Sequence, residues 1–193
     1  MKAPYKFFFL IFIASAIFAQ TVPNHSFESW SDGKPVKWGT PNSDDFKPVT
    51  KTNDKHSGQY ALKGQVIKIE FQGMPKVLTP AAIQSGEDGK GFPITSVPTI
   101  VTGWFKFLPN GGDKLVFGAV LMNGDTELGE DALIINDRMT TYNMLQLNLK
   151  NKWKKEYARA NRIIITVSII GPTTGQDWHE GTYFIVDDIS IAQ

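Results

Sequence analysis

Two adjacent carboxylates interrupt the most β-prone run of the chain, Tyr183-Phe184-Ile185-Val186-Asp187-Asp188-Ile189-Ser190-Ile191. A third, Glu28, follows directly on the core-type Phe27 in Val22-Pro23-Asn24-His25-Ser26-Phe27-Glu28-Ser29-Trp30. A carboxylate drawn toward a core needs a partner, because desolvating an ionised group is costly unless it is paired. A hard cation would serve: Ca²⁺ gathers several oxygen ligands and tolerates irregular geometry. Strict alternation along the C-terminal run puts Asp187 in phase with Ile185 and Ile189, facing inward, and Asp188 in phase with Val186. The ordinary alternative is that these carboxylates cap turns or pair with Lys55.

Other chemistry has less to stand on. His25, His56 and His179 are scattered, and none has the i, i+4 partner of a zinc helix. The chain has no G-x-S-x-G elbow, P-loop, dinucleotide fingerprint or H-E-x-x-H motif. The acidic stretch Asn123 to Asp131 lacks the glycine and the final glutamate of an EF-hand loop and reads as a hairpin tip. A glycosidase needs two carboxyl groups about 5–10 Å apart. Glu70 with an acid from a neighbouring strand would be the pair, which keeps a hydrolase as a minor alternative.

A binding surface is better supported. In Val101 to Phe107, Val101, Phe105 and Phe107 share one face while Thr102, Trp104 and Lys106 share the other. Tyr142, Met144, Gln146 and Asn148 oppose Leu145, Leu147 and Leu149. Lys68, Glu70 and Gln72 oppose Ile67, Ile69 and Phe71, and Thr166 and Ser168 oppose Ile165, Val167 and Ile169. If these strands are neighbours, Trp104, Lys106, Glu70, Gln146 and Tyr142 form a polar platform with an aromatic ring for the apolar face of a sugar. Trp178, in a polar loop beside His179 and Glu180, is a further ligand candidate. A plain solvated sheet face is the alternative.

The elements that must carry these residues are short alternating runs separated by Gly, Pro, Asn and Asp. Strands are expected at 26–28, 60–63, 66–71, 99–108, 114–122, 141–148, 162–169 and 182–191, with 79–96 a long loop. Helical periodicity is nearly absent. The pattern predicts an all-β, two-sheet antiparallel sandwich of jelly-roll type.

Residues 1–19 have a basic start, an apolar run from Phe7 to Ile13 and small residues before Gln20, which reads as a secretory signal peptide. That implies export to the periplasm, cell surface or medium. The run is short for a membrane anchor. Removing Lys2 and Lys6 with the signal takes the formal charge from +1 to −1, with no basic patch for nucleic acid. Without cysteine there is no disulfide framework. Residues 20–193 are one domain's worth of chain.

Three segments, taken in order, resemble the bacterial carbohydrate-binding modules of galactose-binding-like β-jelly-roll fold. They are an N-x-x-F-E opening (Asn24 to Glu28), an H-S-G-x-Y-A-L segment (His56 to Leu62) and a D-D-I-S closing strand (Asp187 to Ser190). Within that group the chain is similar to the carbohydrate metabolism domain family of secreted bacterial proteins, through Phe27-Glu28 with Trp30, Pro35 with Trp38, Thr102 to Phe107, Gly112-Asp113 and Val186 to Ile189. Residues 173–181 depart from its pattern.

The resemblance implies a structural calcium ion as cofactor, held by Glu28, Asp187 and Asp188 with oxygens of the Lys55 to Gly58 loop, Lys55 and Ser57 among them. It also implies a secreted, non-catalytic module that binds a polysaccharide or oligosaccharide. The alternative is a structural or adhesive domain with a protein partner.

Overall fold

The computed structural model describes residues 20–70, 73, 75–149 and 155–193. The expected signal peptide, Phe71, Gln72 and the 150–154 connection with Trp153 lie outside the described residues. In chain order the strands are β1 (Trp30–Ser31), β2 (Lys34–Pro35), β3 (Trp38–Gly39), β4 (Val49–Thr52), β5 (Ala61–Gln65), β6 (Ile67–Ile69), β7 (Val77–Thr79) and β8 (Ala82–Ser85). Then come β9 (Phe92–Pro93), β10 (Ile100–Leu108), β11 (Lys114–Asn123), β12 (Thr126–Ile135), β13 (Met139–Asn148), β14 (Arg162–Ile170) and β15 (Tyr183–Ala192).

They build two principal antiparallel sheets. One has the order β13-β10-β15-β5-β4, the other β12-β11-β14-β8-β3, with β9 also pairing β14. Alternation makes the core: Val101, Phe105 and Phe107 from β10 meet Leu115, Phe117, Leu121, Ile163, Ile165 and Val167 from β11 and β14, all buried. Phe105 and Phe117 touch across the sandwich, ring centroids 4.8 Å apart and tilted by 52°. Each such ring contributes about 1.5–3 kcal/mol by leaving water.

Several expected elements fall elsewhere. The 26–28 strand is a turn: Phe27 donates its N–H to the Asn24 carbonyl (3.1 Å) and sits at φ +52°. A bulky residue adopts that left-handed conformation at a cost. Here it buries the Phe27 ring against Trp38 (5.1 Å). The N-terminal segment still runs beside the C-terminal strand, since the Ile189 N–H donates to the His25 carbonyl at 2.9 Å.

Two other segments also differ from expectation, and a third does so only in part. The expected loop 79–96 contains β8 and β9, both part of the second sheet. The acidic stretch 123–131 does make the expected hairpin tip, turning at Gly124 (φ +59°), but from Thr126 it continues as β12, a strand that was not expected. Of the expected 66–71 strand, Ile67–Ile69 pairs with β7 in a separate two-stranded ribbon and joins neither principal sheet.

The Asp187-Asp188 pair marks a register shift. Thr102 lies opposite Ser190, but Trp104 lies opposite Asp187, so β15 carries one extra residue there, with Asp188 at φ +47°. A bulge of this kind switches the phase of a strand. Phe184, Val186 and Ile189 therefore face the core, and Asp187 shares the outer face with Trp104 instead of pointing inward with Ile189.

Candidate functional site

On the outer face of the first sheet, the 54–60 loop lies over β10, β13 and β15. Asp187 is fully buried beneath it: Oδ2 accepts the N–H groups of His56 (2.9 Å) and Ser57 (3.0 Å), and Oδ1 that of Asp188 (2.8 Å). Asp188 pairs with His56 Nδ1 (2.7 Å) and accepts from the Ser57 hydroxyl (2.9 Å). From the N-terminal side, Glu28 Oε1 accepts the N–H groups of Gln59 (2.7 Å) and Tyr60 (3.2 Å). Gly58 lies between the two clasps at φ +61°, and a Cβ there would run into the Glu28 carboxylate. Lys55 is exposed in the same loop.

Burial pushes the Asp187 carboxyl above its ordinary range, aided by the Asp188 charge and opposed by the amide hydrogen bonds. Burial, then the nearby charges of Asp54, Asp187 and Asp188, also push the Tyr142 hydroxyl up.

Glu28, Asp187, Asp188 and Ser57 are thus brought to one seam, but through the wrong atoms for a metal. Calcium needs about six to eight oxygens directed at one point. Here both oxygens of Asp187, both of Asp188 and one of Glu28 face N–H or O–H donors or the His56 imidazole. Among the described residues no group of three His, Cys, Asp or Glu side chains is placed to hold a metal ion. This donor set does not fit a calcium ion.

The aromatic platform is covered by the same loop. The His56 ring stacks on Trp104 (centroids 4.0 Å apart, 12° between planes) and meets Tyr142 edge-on at 5.6 Å. Lys106 binds Asp54 (2.6 and 2.8 Å) and lies over the Tyr142 ring at 4.8 Å, while the Tyr142 hydroxyl donates to the Asp54 carbonyl at 2.9 Å. Trp104, Lys106 and Tyr142 do share a face, with Gln146 exposed further along it opposite Thr102.

Glu70 is not on that face. It sits at the end of the β6–β7 ribbon and pairs with Lys76 at 2.6 Å. Nor is Trp178, which packs against the core with its indole N–H buried and unpartnered. Its loop is anchored by His179, whose N–H and ring both meet the buried Asp113 at 2.9 Å.

With His56 seated on its ring, Trp104 acts as a prop for the loop. Trp104→Ala is expected to lower stability by about 1–3 kcal/mol without weakening ligand binding elsewhere, as chemical denaturation and titration calorimetry on the variant would read.

The open surface is on the other sheet. A cleft of about 560 Å³ lies on the outer face of β14 and β8. The outward-facing Thr166, Ser168, Ala82 and Gln84 form its floor, and Lys34, Trp38, Thr40, Pro41, Asp88 and Gly89 complete the lining. Gly39 has no room for a side chain, because the Gly89 backbone would be 2.6 Å from its Cβ. That close approach draws the 87–89 turn against β3.

From Thr166 the same row of the sheet continues through Gly118 to Ala132 at the edge, with Val116 and Val120 to either side. Strands about 4.8 Å apart make this a shallow trough crossing the sheet. Thr166 and Ser168 are legible in the sequence as outward-facing residues. Gln84 and Asp88 were hidden by the glycines around them, although Ala81 to Ser85 alternates buried and exposed as a strand should.

No family model and no curated protein matches the chain. Solved structures do. A family 61 carbohydrate-binding module in complex with β-1,4-galactotriose superposes with a TM-score of 0.55 at 16% identity, covering 91% of this chain and 99% of that one. This chain has the β-sandwich fold of the carbohydrate-binding modules.

A family 28 module specific for non-crystalline cellulose gives 0.53 at 12% identity, covering 90% and 95% of the two chains. A candidate glycoside hydrolase from Bacteroides thetaiotaomicron gives 0.60 at 12%, covering 86% and 70%. At these identities the likeness concerns the fold. No helix among the described residues is long and apolar enough to cross a membrane.

Proposed function

We propose that this protein is an exported, non-catalytic glycan-binding domain that holds an oligosaccharide in the cleft on the outer face of the second sheet. The observation that carries the reading is the cleft itself. A floor of hydroxyls and one amide (Thr166, Ser168, Gln84), with Lys34 and Asp88 also lining the cleft, offers the donors and acceptors that sugar hydroxyls need. Aliphatic ground beside it, Val116 and Val120 with Gly118 between them, suits the C–H faces of further sugars. The platform expected around Trp104 is set aside because His56 already stacks there.

Modules of the same fold, one solved with a galactotriose and one specific for cellulose, make an oligosaccharide or polysaccharide the ligand class to test first. Hydrolysis has weaker support. Among the described residues Asp88 is the one carboxylate lining the cleft, and glycosidases ordinarily use two.

A glycan array followed by titration calorimetry on the purified protein tests the reading. The expected result is binding of one glycan class with a dissociation constant between about 1 µM and 1 mM, or roughly −4 to −8 kcal/mol, with no reducing sugar released. Absence of binding across plant, algal and bacterial glycans would favour the protein-contact alternative.

A further inference from the structure

We infer that this chain closes the seam between its two ends without a cation, using backbone amides of the 54–60 loop in the position where its resemblance to calcium-bearing modules implies a metal. The clasp has two halves. His56 and Ser57 give their N–H groups to Asp187, and Gln59 and Tyr60 give theirs to Glu28, at 2.7–3.2 Å. Four amides of one loop therefore point their positive ends at two carboxylates, one from each terminal segment. Oriented amides of this kind form an anion-binding nest.

The chemistry of the donors decides between the nest and an ion. A calcium ion needs carbonyl and carboxylate oxygens turned toward it. An ion at Asp187 Oδ2 would instead meet two N–H groups already seated there. Asp188, the remaining acid, is engaged at both oxygens from the same loop, by the Ser57 hydroxyl and the His56 ring.

The loop is also fixed on its far side by neutral and oppositely charged partners. The His56 ring rests on Trp104, Lys106 pairs with Asp54, and the Tyr142 hydroxyl holds the Asp54 carbonyl. Lys106 supplies fixed positive charge beside the loop, balancing one of the four acids gathered there. Each contact that a bridging ion would make between the N-terminal segment, the loop and β15 is made by the chain itself.

The test uses the intact purified protein and calcium alone. The metal content after purification in calcium-containing buffer is measured, and melting is followed in excess chelator and in millimolar calcium. The expected result is no retained calcium and melting midpoints within about 1 °C of one another. Retained stoichiometric calcium, or a midpoint raised by more than about 5 °C on adding calcium to the chelated protein, would overturn the inference.

Glu28→Ala is expected to lower the midpoint equally in chelator and in calcium, since what it loses is an amide acceptor. A loss seen only in calcium would overturn the inference. Should that variant not fold, Glu28→Gln keeps an acceptor for Gln59 and Tyr60 and removes the charge. Near-wild-type melting in both buffers is expected of it, and a midpoint lowered only in calcium overturns the proposal.

Discussion

Asp187→Ala is expected to destabilise the protein by about 2–4 kcal/mol, because it removes a buried acceptor and leaves the N–H groups of His56, Ser57 and Asp188 without their partner. In a domain of this size that lowers the melting midpoint by roughly 5–15 °C. Two effects hold the loss below the sum of three hydrogen bonds. The loop amides of His56 and Ser57 are close enough to solvent to be partly rehydrated, and the ionised Asp187 carries a desolvation cost that alanine does not. A loss under about 1 kcal/mol would mean that the 54–60 loop is held mainly by the Trp104–His56 stack.

The same carboxyl gives a pH signature. Its folded-state pKa is raised, so the native protein takes up that proton more readily than the unfolded chain. The sign follows: relative to Asp187→Asn, which does not titrate, the wild type should gain stability as pH falls through the raised value toward the ordinary 3.8. The gain is complete below that. Denaturant midpoints of the two proteins across pH 4–7 would read it, and a gap that widened in the opposite direction would contradict the burial of this group.

Much of the sandwich was legible because five of the six longest strands among the described residues, β10, β11, β13, β14 and β15, read as β-prone runs, two of them with strict alternation. In β10 and β14 every second residue is buried, and period-two reading finds such elements directly. Reading failed where a single backbone event changed the phase. Nothing in Ile185-Val186-Asp187-Asp188-Ile189 announces a bulge except the second aspartate, a residue type that tolerates the left-handed conformation found there. Once that residue is skipped, Ile189 stays in the core while Asp187 moves to the outer face, where the amides of the 54–60 loop bind it.

The site was misplaced for a second reason. Outward-facing polar residues on β10, β13, β14 and β6 share a pattern, but they belong to three different sheets. Alternation says which residues face out. It cannot say which strands are neighbours, and the decisive neighbour, β8, was concealed in a glycine-rich stretch.

Replacing Thr166 and Gln84 together by leucine is expected to reduce glycan affinity at least about 100-fold, near 2.7 kcal/mol, while changing stability by less than about 1 kcal/mol. The two residues sit side by side in register on β14 and β8 at the centre of the cleft floor. Removing a hydroxyl and an amide that bond the ligand forfeits about 1–1.5 kcal/mol each, and the added branched carbons fill the space the sugar would enter. Both side chains point away from the core, whereas their neighbours Ile83, Ile165 and Val167 supply the packing, so folding should survive. Trp104→Ala is the matched control on the other sheet. If it abolished binding while the leucine pair left affinity unchanged, the ligand would lie against the first sheet, and the loop carrying His56 would have to lift from Trp104 to admit it.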